Sequence, residues 1–112
     1  MQRTIFEPEH RDYRESARRF VAAEMTPNTS AWESAGIVPR ELFARAAEKG
    51  MLAMAVGEDF GGSGVDDFRF NQVLVEEFAY GGVGAAGLGI SLHNDICLPY
   101  FTTYSTDEQK QR

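Results

Sequence analysis

Residues 81–95, GGVGAAGLGISLHND, hold five of the chain's eleven glycines, and three of them, Gly82, Gly84 and Gly87, spell G-x-G-x-x-G. A dinucleotide loop of that spelling needs a buried strand feeding its first glycine and a helix opening at its last, with an acidic residue about 20 positions on. The run that enters the glycines, DDFRFNQVLVEEFAY, instead repeats Phe70, Leu74 and Phe78 every four residues with Glu76 and Glu77 between them, which is a helical period. Asp107 stands at the required distance, but inside STDEQ, a helix start. A helix where the strand is required rules the phosphate loop out, so the glycines need another explanation.

The rest of the chain is punctuated for helices. A first helix is predicted from Pro8 to about Met25, with Tyr13, Ala17, Phe20, Val21 and Met25 as its apolar stripe and Pro27 as its stop. NTSAWESAGIV then reads as a polar connection whose Trp32 folds back on the core. A second helix runs from Pro39 to Lys49 ahead of a terminating Gly50. MLAMAV is too short to assign by period, GEDFGGSGVDD is a glycine-forced loop, and Asp66 or Asp67 caps a third helix reaching Tyr80. A fourth spans 82–93 and continues through DICLPYFTTYS, with Pro99 as a kink or a fresh first turn. Thr106 and Gln109 form a capping box, so a further helix opens just before Arg112, and the chain is expected to be a piece of something longer. The expected fold is all-α, about five or six helices packed as one domain over residues 1–112.

A net charge of -6 excludes a generally basic surface for nucleic acid. Cys97 is the only cysteine, which excludes an intramolecular disulfide or a cysteine metal cluster and fits a reducing compartment. MQRTIFEPEH has neither the apolar core of a signal peptide nor the acid-poor character of a transit peptide, and no run approaches the ~18 apolar residues of a membrane span. The expected location is the cytoplasm.

With 82–93 helical, Gly84, Leu88 and Leu92 fall on one line at steps of four, and Ala85, Gly89 and His93 on the line beside it. Each internal glycine costs on the order of 0.5–1 kcal/mol relative to alanine, so Gly84, Gly87 and Gly89 in one short helix require compensation. Two kinds are available: close packing of helix backbones, or a slot filled by a slender apolar ligand.

Five segments in order, FEPEHRDYRESARRFVAAEMTPN, AWESAGIVPRELFARAAEKGML, GEDFGGSGVD, VLVEEFAY and ISLHNDICLPYFTTYSTDEQKQR, make the chain resemble, from about Arg3 to Arg112, the N-terminal helical domain of the acyl-CoA dehydrogenases, its long-chain branch above all. The resemblance implies a segment of an FAD-dependent oxidoreductase of fatty acid β-oxidation. Such an enzyme forms a double bond between the α and β carbons of an acyl-CoA: a glutamate removes the α proton and the flavin takes the β hydrogen as hydride. It further implies an electron-transferring flavoprotein as partner and a homodimer or homotetramer. A middle β domain and a C-terminal helical domain would supply most FAD contacts and the catalytic glutamate, beyond Arg112, so this segment alone would be inactive. The positions matching the family's acyl pocket are Gly84, Ala85, Leu88, Gly89 and Leu92, where small side chains would leave depth for a long tail. Gly57 departs from the family, many of whose members have proline there, which puts the following loop in question.

Acyl-CoA oxidases and flavin monooxygenases of the same architecture are the nearest rival reading, and a free-standing helical module whose glycine groove binds a partner helix is another. Within the chain, Glu76 and Glu77 are neighbours that cannot face one cleft, and they read as a solvated helix face, as do Arg18 and Arg19. His10 and His93 are too few for a histidine metal site, and His93 reads as a hydrogen-bonded structural residue. The serines lack a nucleophile elbow.

Overall fold

The computed structural model describes residues 3–112. Seven α-helical segments follow one another: α1 (Pro8–Phe20), α2 (Thr29–Ala35), α3 (Arg40–Glu48), α4 (Phe68–Tyr80), α5 (Gly84–Leu92), α6 (Leu98–Tyr104) and α7 (Asp107–Gln111). There is no strand among the described residues. A π turn, His93–Cys97, carries α5 into α6, so the two form one rod with Pro99 in the first turn of α6. The all-α expectation holds, and the loop, caps and helices from residue 39 onward fall within a residue or two of the predicted limits.

Two local expectations are corrected. Pro27 does not stop the chain's helical course: after a π turn at Val21–Met25 it sits in a 3-10 turn, Thr26–Asn28, where its missing N–H costs nothing, and α2 follows directly. The stretch read as a connection is therefore mostly helix, ended by Gly36 at φ +74, and Trp32 packs on the core from it as predicted. The helix expected from residue 82 starts at Gly84, because Gly82 adopts φ +70, a left-handed turn between α4 and α5.

The core collects Ala17, Phe20, Val21 and Met25 from the first helix and its π turn, Leu42 and Ala46 from α3, Leu74 and Phe78 from α4, and Val83, Ala86 and Ile90 from the start of the rod. α1 lies against α4, and polar groups bind this seam at both ends. At one end His10, fully buried, receives the Glu7 N–H on Nδ1 at 2.9 Å. That leaves Nε2 to carry the proton, which it donates to Asp67 Oδ2 at 3.0 Å. Asp67 in turn caps α4 by accepting from Arg69 N, and the Arg69 guanidinium first, then His10, holds its carboxyl well below the usual range.

At the other end the expectation of a solvated carboxylate pair fails. Glu77 is 2% exposed, accepting from Arg14 at 2.9 Å and Arg18 at 2.7 Å, while Glu76 accepts from Arg14 at 2.7 Å and from Arg3. Adjacent carboxylates on one helix point apart, and the fork of Arg14 spans both. Arg18 also covers the Tyr80 ring, yet it stays exposed, as does Arg19, which pairs with Glu15 one turn back, so both arginines lie on the solvated face as expected. Hydrogen bonding from Arg3 lowers Glu76 to about 2 against burial that works to raise it. At Glu77 burial is the largest effect and raises the pKa, but the hydrogen bonds from Arg18 and Arg14 outweigh it, and the net shift is downward.

Gly57, where proline was missing, sits at φ -60 and ψ 149, the backbone that a proline ring would impose. A proline could therefore occupy this position without a change in the backbone dihedral.

In urea unfolding of the full-length protein, Glu77→Gln should cost on the order of 2 kcal/mol, because two guanidiniums lose a charged acceptor. Both carboxylates have folded pKa values below their unfolded ones, so their contribution is present above the unfolded value of 4.5 and is lost as pH falls below it, for Glu76 through about 2, which an acid titration followed by circular dichroism reads directly. Gly57→Pro should raise stability by about 0.4–1 kcal/mol in the same urea assay, by restricting the unfolded chain.

Candidate functional site

The face of α5 turned inward is small by necessity. A Cβ on Gly87 would stand 2.5 Å from the Phe78 ring of α4, and one on Gly89 would stand 2.9 Å from the Phe43 ring of α3. Two of the three helix glycines are therefore accounted for by packing. Gly84 is different, since nothing lies within 4 Å of where its Cβ would be.

Outward from Gly84 the rod shows an apolar row. Gly84, Leu88, Leu92 and Ile96 form one side of a groove of about 320 Å³, closed on the other by Val75, Phe78 and Ala79 of α4. Leu88 and Ile96 are each 62% exposed and Val75 and Leu92 each 42%, so the groove walls form one contiguous exposed apolar patch. Ser91 and Asp95 are its polar groups, and Asp95 is held by Asn71 at 2.6 Å. The structure thus brings together Gly84, Leu88 and Leu92 of the five expected pocket residues. Ala85 lies instead beside Trp32, Ile37 and Val38, and Gly89 faces Phe43. Val75, Ala79 and Ile96 were not among the expected residues: Val75 and Ala79 belong to the exposed side of the α4 period, and Ile96 is the next step of four past Leu92, beyond the helix limit expected at 93.

The chemistry within reach is recognition of apolar surface. His93 is half-buried in the π turn, where burial pushes its imidazole below the usual value and favours the neutral form. The hydrogen-bonded structural histidine is His10. Glu7, Glu9 and His10 can bring one ligand atom each within 4.8 Å, but both imidazole nitrogens of His10 are already engaged, by Glu7 and Asp67. The glycine turn at 81–84 does not fit a dinucleotide pyrophosphate either: Gly82 N–H is bonded to Ala79 O and Val83 N–H to Phe78 O, so these amides face α4 and not a ligand. No helix among the described residues is long and apolar enough to cross a membrane.

Residues 7–112 match the family model described as acyl-CoA dehydrogenase, N-terminal domain. The chain is 41% identical over 110 residues to the long-chain specific acyl-CoA dehydrogenase, mitochondrial, of Mus musculus, covering 98% of this chain and 25% of that protein. It is 43% identical over 107 residues to the protein of the same name from Rattus norvegicus, covering 96% of this chain and 24% of the relative. The crystal structure of an acyl-CoA dehydrogenase from Geobacillus kaustophilus superposes with a TM-score of 0.89 at 39% identity, covering 98% of this chain and 28% of that one. The chain therefore spans about a quarter of the length of the relatives it matches. The rodent relatives are mitochondrial by name, which lends the expected cytoplasmic location no support.

The split between packed and open glycines is testable by alanine substitution. Gly87→Ala should destabilise the protein by roughly 1–3 kcal/mol through the clash with Phe78. Gly84→Ala should be neutral or stabilising by a few tenths of a kcal/mol. Thermal unfolding of the two variants in the full-length protein reads the difference in sign.

Proposed function

The chain belongs to the acyl-CoA dehydrogenase family, and from that premise we propose that it is the N-terminal helical wall of an FAD-dependent enzyme that desaturates an acyl-CoA thioester between its α and β carbons. One observation carries the reading of the site: an open groove with aliphatic walls, running along Gly84, Leu88 and Leu92 in a helix whose other glycines are closed by Phe78 and Phe43. An aliphatic tail lying there would gain about 0.8 kcal/mol for each methylene removed from water, so the length of the groove is converted into chain-length preference. Ala85 and Gly89 act behind this wall, by letting α5 lie close to its neighbours, and do not touch the tail.

FAD and the catalytic glutamate belong, on this reading, to parts of the enzyme outside residues 1–112, and the segment alone is inactive. Electrons leave through an electron-transferring flavoprotein, and the working enzyme is a homodimer or homotetramer engaged in fatty acid oxidation.

Gly84→Phe places a ring in the groove without meeting protein atoms at its Cβ. In the full-length enzyme it should lower the ratio of kcat/KM for hexadecanoyl-CoA to that for hexanoyl-CoA by roughly tenfold or more, since several methylenes lose their site. An unchanged ratio would contradict the groove as the acyl site, and substrate-dependent peroxide release in air would point to an oxidase.

A further inference from the structure

The apolar row on the rod depends on its least regular part. In an α-helix each step of four residues overshoots the turn by about 40°, so a row spaced by four winds steadily around the axis. The wider ring of the π turn at His93–Cys97 takes part of that drift back between Leu92 and Ile96, and both line the same groove. A π turn needs something to hold it against relaxation to regular helix, and here it is gripped from two sides. Asn94, 3% exposed, donates its carboxamide N–H to Met51 O at 2.6 Å. Asn71 of α4 donates to Asp95 Oδ1, also at 2.6 Å.

The anchor for Asn94 is firm. Met51 closes the end of α3, its N–H bonded to Ala46 O at 2.9 Å past Gly50 at φ +71. The other half of the same carboxamide gains nothing: Asn94 Oδ1 is buried with no partner among the described residues. A leucine would fill a comparable volume without burying Oδ1 unpaired, but it would leave Met51 O without this donor, so the donor half is what accounts for asparagine at this position.

We propose that Asn94 is a positioning residue for the groove: its bond to Met51 O holds the π turn open and so keeps Leu92 and Ile96 on one wall. The proposal rests on the acyl reading of that groove for its effect on substrates, but not for its effect on the turn. Asn71 is the second clamp on the same turn, acting through Asp95.

The test uses the full-length enzyme carrying Asn94→Leu, which fills the space and cannot donate, and separately Asn71→Leu, which releases the turn from the half-buried side should the first variant fail to fold. Crystal structures of the variants and amide hydrogen exchange over 93–97 read the turn; kinetics with hexadecanoyl-CoA and hexanoyl-CoA read the groove. The expected result is a regular α-helix across 93–97 in place of the π turn, with the long-to-short kcat/KM ratio reduced about fourfold or more, as if one methylene had lost its site, and kcat for hexanoyl-CoA within about twofold of the parent. A π turn that persists in the variants overturns the proposal. A turn that relaxes while the ratio stays fixed overturns the positioning role; the acyl groove itself then stands if Gly84→Phe moves the ratio and falls if it does not.

Discussion

The contact on which the rest depends is the ring of Phe78 against the backbone of Gly87. It brings α5 closer to α4 than any side chain at residue 87 would permit, and that closeness makes a groove of the space between Val75, Ala79 and the Gly84–Leu88–Leu92 row. The energetic logic is a trade inside one helix. Glycine weakens α5 locally, and burial of Val83, Ala86 and Ile90 beside Phe78 compensates through packing.

α4 is the common member of the whole arrangement. One side carries Glu76 and Glu77 to Arg3 and to Arg14 and Arg18 of α1, a second buries Leu74 and Phe78, and a third offers Val75 and Ala79 to the groove. The buried carboxylate of Glu77 is tolerated because two guanidiniums reach it, and that pairing fixes the register of α1 along α4 in a way that apolar contacts alone would leave looser. The His10 bridge from Glu7 to Asp67 fixes the opposite end. A wall whose internal alignment is set by directional bonds can present an apolar groove outward without collapsing onto it.

Much of this was legible in the sequence, for identifiable reasons. Periodicity gave the helices, and proline and glycine marked the ends of α3 and the first turn of α6. The helical run ahead of Gly82 was enough to exclude a nucleotide loop. Three features were not legible. Pro27 can either end a helix or open a new turn, and local sequence does not distinguish the two; here it lies in a 3-10 turn that leads into α2, from which Trp32 packs on the core. The pairing of Glu76 and Glu77 spans about 60 residues to Arg14 and Arg18, a separation at which no local pattern reports. The line of four selected Gly84, Leu88 and Leu92 as one row and stopped a step short of Ile96, and it could not foresee that Gly89 would be closed by Phe43.

The central claim is that the open side of α5 is a seat for an aliphatic chain. The most direct measurement is a crystal structure of the full-length enzyme with a non-reactive thioether analogue of hexadecanoyl-CoA. The account predicts continuous density for the alkyl tail between Val75 and Ala79 on one side and Gly84, Leu88 and Leu92 on the other. A groove filled by protein side chains, with the tail running elsewhere, would contradict it.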